Sequence, residues 1–292
     1  MDFIYGTWCK LSTTIDKMPI NKNQISKSTE NQEIRIVSYN IKALFPFYNK
    51  RRMKDLINYI ESLFIERKTD IVCLQEAFEL DFYNQLYAIV ANLRLNIVHP
   101  PLERSFRVGE NSGLITISRF PVTHEKFVRY DQAAGLCWFA NKGAHYITVR
   151  IGKNALRLVN THLQADNETI AINQFGQLID NIVFDGALIV GDMNMGYDTV
   201  LHLHSFKTPP SSEAMAVMSD EDDADCAFSM RKGVQLGQVE CVNSVPVVTF
   251  PETGEQLDYF LLYNLDLDCS FSVLSDVELS DHYPILSSFA FP

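Results

Sequence analysis

A chain of 292 residues with 47% hydrophobic and 21% charged side chains is long enough for one large single-core domain or two small ones, and its composition is that of a soluble globular protein. The 25 Lys and Arg stand against 36 Asp and Glu, a formal charge of -11, which disfavours an extended grip on a polyanion unless basic residues cluster locally. No stretch approaches the ~20 apolar residues of a membrane span, and the six cysteines form no CxxC pair and lie partly in apolar runs such as DIVCLQ and GLCWF, which points to thiols in a reducing, cytoplasmic compartment.

Leu11 to Glu33 is polar, rich in Ser, Thr, Asn and Lys and without period, and predicts a flexible arm over residues 1–33 ahead of one domain over 34–292. EIRIVSYNI then reads as a buried strand, and Arg52 to Lys68 as a helix with Met53, Leu56, Ile57, Ile60, Leu63 and Phe64 on one face. DIVCLQEA predicts a second buried strand, and Phe82, Leu86, Ile89, Val90 and Leu93 a second helix. Strands follow at SGLITISRFPV, AHYITVRI and ALRLVNTHL, then a helix over Glu168 to Val183 capped by Asp166 or Asn167. GALIVGDMN, EQLDYFLLY and YPILSSFAF complete the strands. Residues 202–255 are the least regular part; their SDEDDAD run lacks the ligand alternation and the Gly of a calcium loop and reads as a solvated acidic loop. Strands outnumber helices and helices fall between them, so the expected fold is α/β, with two sheets packed face to face under outer helices.

Polar residues recur where these strands end or enter the core: Asn40, Glu76, His162, Asp192, Asn194, Asp258, Asp281 and His282. Each alone has an ordinary reading as a turn, a cap or a carbonyl partner, but eight on successive strands gather along one rim of a sandwich and face one cleft. Carboxylates, carboxamides and two imidazoles without thiolates suit a hard, oxygen-preferring divalent ion and a phosphate rather than structural zinc.

The ordered pieces SYNI, LQEA, NTHLQA, GDMN, LDYFLL and SDHYPI resemble the endonuclease/exonuclease/phosphatase superfamily, which includes pancreatic deoxyribonuclease, AP endonucleases, inositol polyphosphate 5-phosphatases and neutral sphingomyelinases. They span residues 34 to 290. The resemblance implies a four-layer α/β/β/α sandwich of two packed, mostly antiparallel sheets, a Mg2+ ion (Mn2+ being the other metal admitted) and phosphoester hydrolysis. It makes Glu76 the main metal ligand, with Asn40 beside it and Asp281 in the metal region. His282, held by Asp258, accepts the proton of the attacking water; in some relatives the residue at Asp192 takes that role, and both assignments stay open. Asp192 and Asn194 orient the water and a phosphate oxygen, and His162 donates to the phosphoryl oxygens. A neutral imidazole, pKa near ~6.5, suits such a base at neutral pH.

FANKGAHYITVRI and ENSGLITISRFPV are similar to segments of neutral sphingomyelinases, and no WCDR-like phosphatase signature is present. The resemblance therefore points to a sphingomyelinase-like phospholipid phosphodiesterase, in peripheral contact with a membrane, with a nuclease of the same fold as the alternative and a phosphatase or a silent binding module behind both. Lys142 meets a phosphate or head group on this reading, or simply sits in a hairpin turn built on Asn-Lys-Gly. Trp138 and Phe139 are expected to be a buried pair, with membrane contact as their other role. A nuclease would draw on a basic strip of Arg104, Arg107, Arg119 and Arg129.

Overall fold

The period-2 alternation of side chains along each strand organises the molecule. In a computed structural model that describes residues 33–44, 49–100, 111–183, 185–205 and 239–291, twelve strands form two six-stranded sheets. The expected arm through residue 32, the acidic run at 219–225, and Arg104 and Arg107 lie outside the described residues.

The first sheet holds β1 (Glu33–Ala43), β2 (Ile71–Ala77), β3 (Asn96–Val98), β4 (Ile115–Ser118), β11 (Cys269–Val273) and β12 (Ile285–Ala290), in the order β11-β12-β1-β2-β4-β3. The second holds β5 (Val122–Arg129), β6 (Gly143–Ile151), β7 (Asn154–His162), β8 (Ala187–Asp192), β9 (Val239–Cys241) and β10 (Asp258–Tyr263), in the order β5-β6-β7-β8-β10-β9. Pairing is antiparallel except for one central parallel pair per sheet, β1 with β2 and β7 with β8. A parallel pair needs a crossover, supplied by α1 (Lys50–Ile65) and α3 (Glu168–Asp180). With α2 (Leu80–Leu93) and α4 (Tyr197–Ser205), these are the α-helices among the described residues.

Three apolar clusters give the four layers expected from the resemblance. Val37, Tyr39 and Ile41 face α1 and α2; Tyr259, Leu261 and Ile189 share the cluster of α3; Ile34, Ile36, Leu158, Val190 and Phe260 fill the space between the sheets. Asn49 caps α1 by accepting from the N–H groups of Arg51 and Arg52, so the helix starts two residues before its expected position. Asn167 caps α3 through the N–H of Ile170.

Several elements differ from the sequence reading. SGLITISRFPV is two strands in different sheets: Pro121 cannot donate to a ladder, the Ser118 hydroxyl accepts from Phe120 N–H, and the chain crosses over there. The α3 helix stops at Asp180, short of Val183. The strand in EQLDYFLLY begins only at Asp258, because the Thr249 hydroxyl takes the N–H groups of both Leu257 and Asp258. The short β3 and β9, α4, the edge strand β11 and a 3-10 helix at Gly135–Phe139 were not foreseen. No helix is long and apolar enough to cross a membrane.

A buried polar bridge joins the sheets. Gln75 Nε2 donates to Asn160 Oδ1 (2.8 Å), and Asn160 Nδ2 donates to the carbonyls of Leu74 (3.2 Å) and Ile115 (3.1 Å) across the interface. Both side chains have no exposed surface, so each bond replaces water that the interior cannot supply.

Candidate active site

The alternation that buries the inter-sheet core also aims the polar residues. On β1 the inward series Ile34, Ile36, Ser38 continues to Asn40; on β7 Leu156, Leu158, Asn160 continues to His162; on β8 Leu188, Val190 continues to Asp192; on β10 the series begins with Asp258 before Phe260 and Leu262. Register places these ends together, with His162 opposite Asp192 and Asp192 opposite Asp258. Glu76 breaks the pattern. Parity would send it with Val72 and Leu74 to the helix face, but its φ of 55° is left-handed, which takes it out of the pleat, and its carboxylate meets Asn40. Such a conformation costs of order 1–3 kcal/mol at a non-glycine residue and persists only where surroundings enforce it.

Gly191, directly before Asp192, has φ 138°, and a Cβ there would lie 1.9 Å from the Thr161 carbonyl oxygen. Only glycine lets β8 approach β7 closely enough to bring Asp192 to His162.

The eight residues do converge. Asn40 Nδ2 bridges Glu76 Oε1 (3.1 Å) and Asp192 Oδ2 (2.9 Å). That same Asp192 oxygen lies 3.5 Å from His162 Nε2 and 3.7 Å from His282 Nε2, while its Oδ1 accepts from Asn194 N–H at 2.9 Å. His282 Nδ1 pairs with Asp258 Oδ2 at 2.8 Å, and Phe250 packs against the imidazole at a tilt of 43° with ring centroids 4.8 Å apart. Among the described residues, Asp192, Asp258 and His282 each offer a donor atom within 4.8 Å of the others. Asp281 is at the edge: its Oδ2 is held by Lys42 Nζ and its Oδ1 by the Ser280 hydroxyl.

Lys142 is 5% exposed and its ammonium donates to His162 Nε2 at 2.8 Å and to the Leu163 carbonyl, which also receives Asn194 Nδ2 at 3.0 Å. The hairpin reading of Asn-Lys-Gly is corrected: β5 ends at Arg129 and the 3-10 helix intervenes before β6. The expected burial of Trp138 and Phe139 is also corrected. They are 40% and 48% exposed, and Leu136 is 86% exposed, because the five-residue 3-10 helix that carries them buries none of its residues. Arg119 leaves the expected basic strip: its guanidinium donates to the carbonyls of Phe64 and Thr69, beside the start of β2 and away from Glu76 at its end.

Electrostatics follow from burial. Desolvation raises the carboxyl pKa of Glu76 above its ordinary value, helped by the charge of Asp192 and opposed by Lys142 and Asn40. Asp192 is raised likewise, by burial and by Asp258, against His282 and Lys142. Burial, then the charges of Lys142 and His282, hold His162 far below the usual imidazole range, so it is neutral and accepts from Lys142. Burial also opposes a charged His282, but Asp258 and Asp192 outweigh it and push its pKa up to about 10.

Burial, more than mutual repulsion, raises the Glu76 and Asp192 carboxyls, so a bound cation would favour their charged forms. The carboxylate oxygens of Glu76 and Asp192, both held by Asn40 Nδ2 while Asn40 Oδ1 accepts from Lys42 N–H, fit a hard divalent cation. Phe250 and Gln75 act through partners distant in the chain, which no local pattern shows, and Thr249 acts on Leu257 and Asp258 across an irregular loop.

The family model described as Endonuclease/Exonuclease/phosphatase family matches residues 37–282. Sphingomyelinase C 2 of Leptospira interrogans serogroup Icterohaemorrhagiae serovar Lai (strain 56601) is 24% identical over 207 residues, 60% of this chain but 33% of that protein, so the chain spans about a third of the relative's length. Among solved structures, sphingomyelinase C from Streptomyces griseocarneus is 18% identical with a TM-score of 0.61, covering 89% of this chain and 100% of that one. A double mutant of Staphylococcus aureus beta toxin with bound magnesium ions is 18% identical with a TM-score of 0.59, covering 89% and 100%. At this identity the likeness of the solved structures is one of fold.

Proposed function

Because the chain belongs to the Endonuclease/Exonuclease/phosphatase family, we propose that its cleft hydrolyses a phosphodiester with a Mg2+-type ion, and that the substrate is a phospholipid head-group ester of the sphingomyelin kind. Glu76 would hold the ion, with Asn40 beside it. When bound, the ion supplies charge that polarises a phosphoryl oxygen and offsets the carboxylates that hold a proton on His282. Asp258 fixes the imidazole through Nδ1, which leaves Nε2 facing the cleft to take the proton of an attacking water; Asp192 Oδ2, 3.7 Å away, is the other acceptor in reach. His162, neutral and accepting from Lys142, orients that ammonium, so Lys142 supplies the positive charge that meets the phosphoryl oxygens. Asn194, left-handed at φ 48° and anchored on the Leu163 carbonyl, presents the remaining amide.

The apolar rim supports the lipid reading over the nuclease. Of the eight large apolar side chains exposed among the described residues, five are Leu136, Trp138, Phe139, Val245 and Val248. They sit on the connections before β6 and β10, at the sheet end that bears His162, Asp192 and Asp258. Neither Gln132 to Asn141 nor Val242 to Thr249 contains a charged residue. A net charge of -11 repels DNA and anionic lipid, whereas exposed aromatics without charge suit a zwitterionic bilayer surface.

The test is hydrolysis by the purified chain with Mg2+ of sphingomyelin vesicles, nicked DNA and a soluble phosphoinositide in parallel. Phosphocholine release is expected from the vesicles. DNA cleavage without it would give the site to a nuclease, and silence on all three would remove the phosphodiesterase reading for these substrates.

A further inference from the structure

Asp281 sits beside His282, yet this chain already occupies both its carboxylate oxygens. Oδ2 receives the Lys42 ammonium and Oδ1 the Ser280 hydroxyl, at 3.1 Å for the latter. The pair is built rather than incidental. Arg52, at the start of α1, donates from one guanidinium to the carbonyls of Ile41 (3.0 Å), Leu279 (2.7 Å) and Lys42, so it ties the end of β1 to the turn that carries Asp281. Lys42 itself has φ 46°, and its N–H donates to Asn40 Oδ1 at 3.2 Å. The Lys42 and Asp281 side chains are 30% and 24% exposed, so the pair keeps contact with solvent.

We propose that Lys42 is a resident counter-cation that keeps Asp281 out of the coordination of a divalent ion, so that the cleft takes one ion, at Glu76, rather than two. This rests on the metal-assisted reading of the site. Two-metal phosphoryl-transfer sites place a second ion about 3.5–4 Å from the first and need a carboxylate for it. An ammonium fixed on the carboxylate that would serve denies that position by charge and by occupancy, and compensates Asp281 without a metal. Replacing Lys42 with an uncharged residue leaves the Asp281 carboxylate, next to His282, without its ammonium.

Mn2+ titration of the 292-residue chain, stripped of metal by chelator and followed by the electron paramagnetic resonance of free Mn2+, tests this without reference to turnover. The wild type is expected to bind one Mn2+ per chain, Lys42→Met two, and Asp281→Asn one with affinity changed by less than about threefold, against the roughly tenfold or greater loss typical of a disturbed ligand set. Circular dichroism checks each variant's fold, and Asp281→Asn decides the matter should Lys42→Met fail to fold. Two ions in the wild type, one in folded Lys42→Met, or a tenfold loss in Asp281→Asn overturns the proposal and leaves metal-assisted hydrolysis standing. No Mn2+ bound to the wild type overturns both.

Discussion

Each sheet carries one parallel pair closed by a helical crossover, and each pair ends in the cleft, but the two deliver different chemistry. From β1 and β2 come Asn40 and Glu76, and Glu76 and, from the turn before β12, Asp281 keep 21% and 24% of their side chains exposed. From β7 and β8 come His162 and Asp192, joined by Asp258 from β10, and the side chains of the two aspartates are 1% exposed. A carboxylate that must meet an ion from solvent stays reachable, whereas one that must fix an imidazole is most effective dry, where its charge is unscreened. The same topological device thus serves two electrostatic environments.

The largest effect should come from removing one group of each kind. Glu76→Gln and His282→Ala are each expected to lower phosphodiester hydrolysis by about 10²–10⁴-fold while leaving the circular-dichroism spectrum near wild type. A variant of either that retains most of its turnover would break the division between the halves. A smaller effect, confined to the second sheet, is expected from Gly191→Ala. The added Cβ meets the Thr161 oxygen at 1.9 Å, so β7 and β8 must part, at a cost of about 1–3 kcal/mol in urea unfolding. Unchanged stability would show that their close approach is not enforced.

A third effect is a pH slope in the metal-free chain. His282 is held at about 10 in the folded state, above its ordinary 6.5. The folded chain therefore keeps a proton that the unfolded chain loses, and the associated stability is complete below pH 6.5 and lost as pH rises through about 10. Urea unfolding with chelator should show this decline, and His282→Gln should flatten it. An identical decline in the variant would assign the slope to other groups.

Much of this was legible because strand parity is legible. Ile34, Ile36 and Asn40, or Leu188, Val190 and Asp192, announce a buried face that turns polar at its end, and the order of six short motifs fixes which ends meet. Glu76 was found by its place after DIVCLQ, but not how it reaches the cleft: parity points it the wrong way, and only its left-handed backbone corrects that. The Lys42–Asp281 pair and the contact of Phe250 with His282 span 239 and 32 positions, and no local pattern encodes such distances. Exposure of Trp138 and Phe139 was misjudged for a related reason, since an aromatic pair is buried only if another element arrives to cover it. By contrast the regular alternation of CSFSV in β11 is a local strand signal that the sequence carries openly.

The Gln75–Asn160 bridge acts like a bolt through two plates just beneath the cleft floor. Sliding one plate past the other would strip several bonds in a region that water cannot repair, so the jaws keep a set gauge whether or not anything lies between them. Adaptation to different guests is then left to the loops at the mouth, and a guest of the wrong width is refused rather than accommodated.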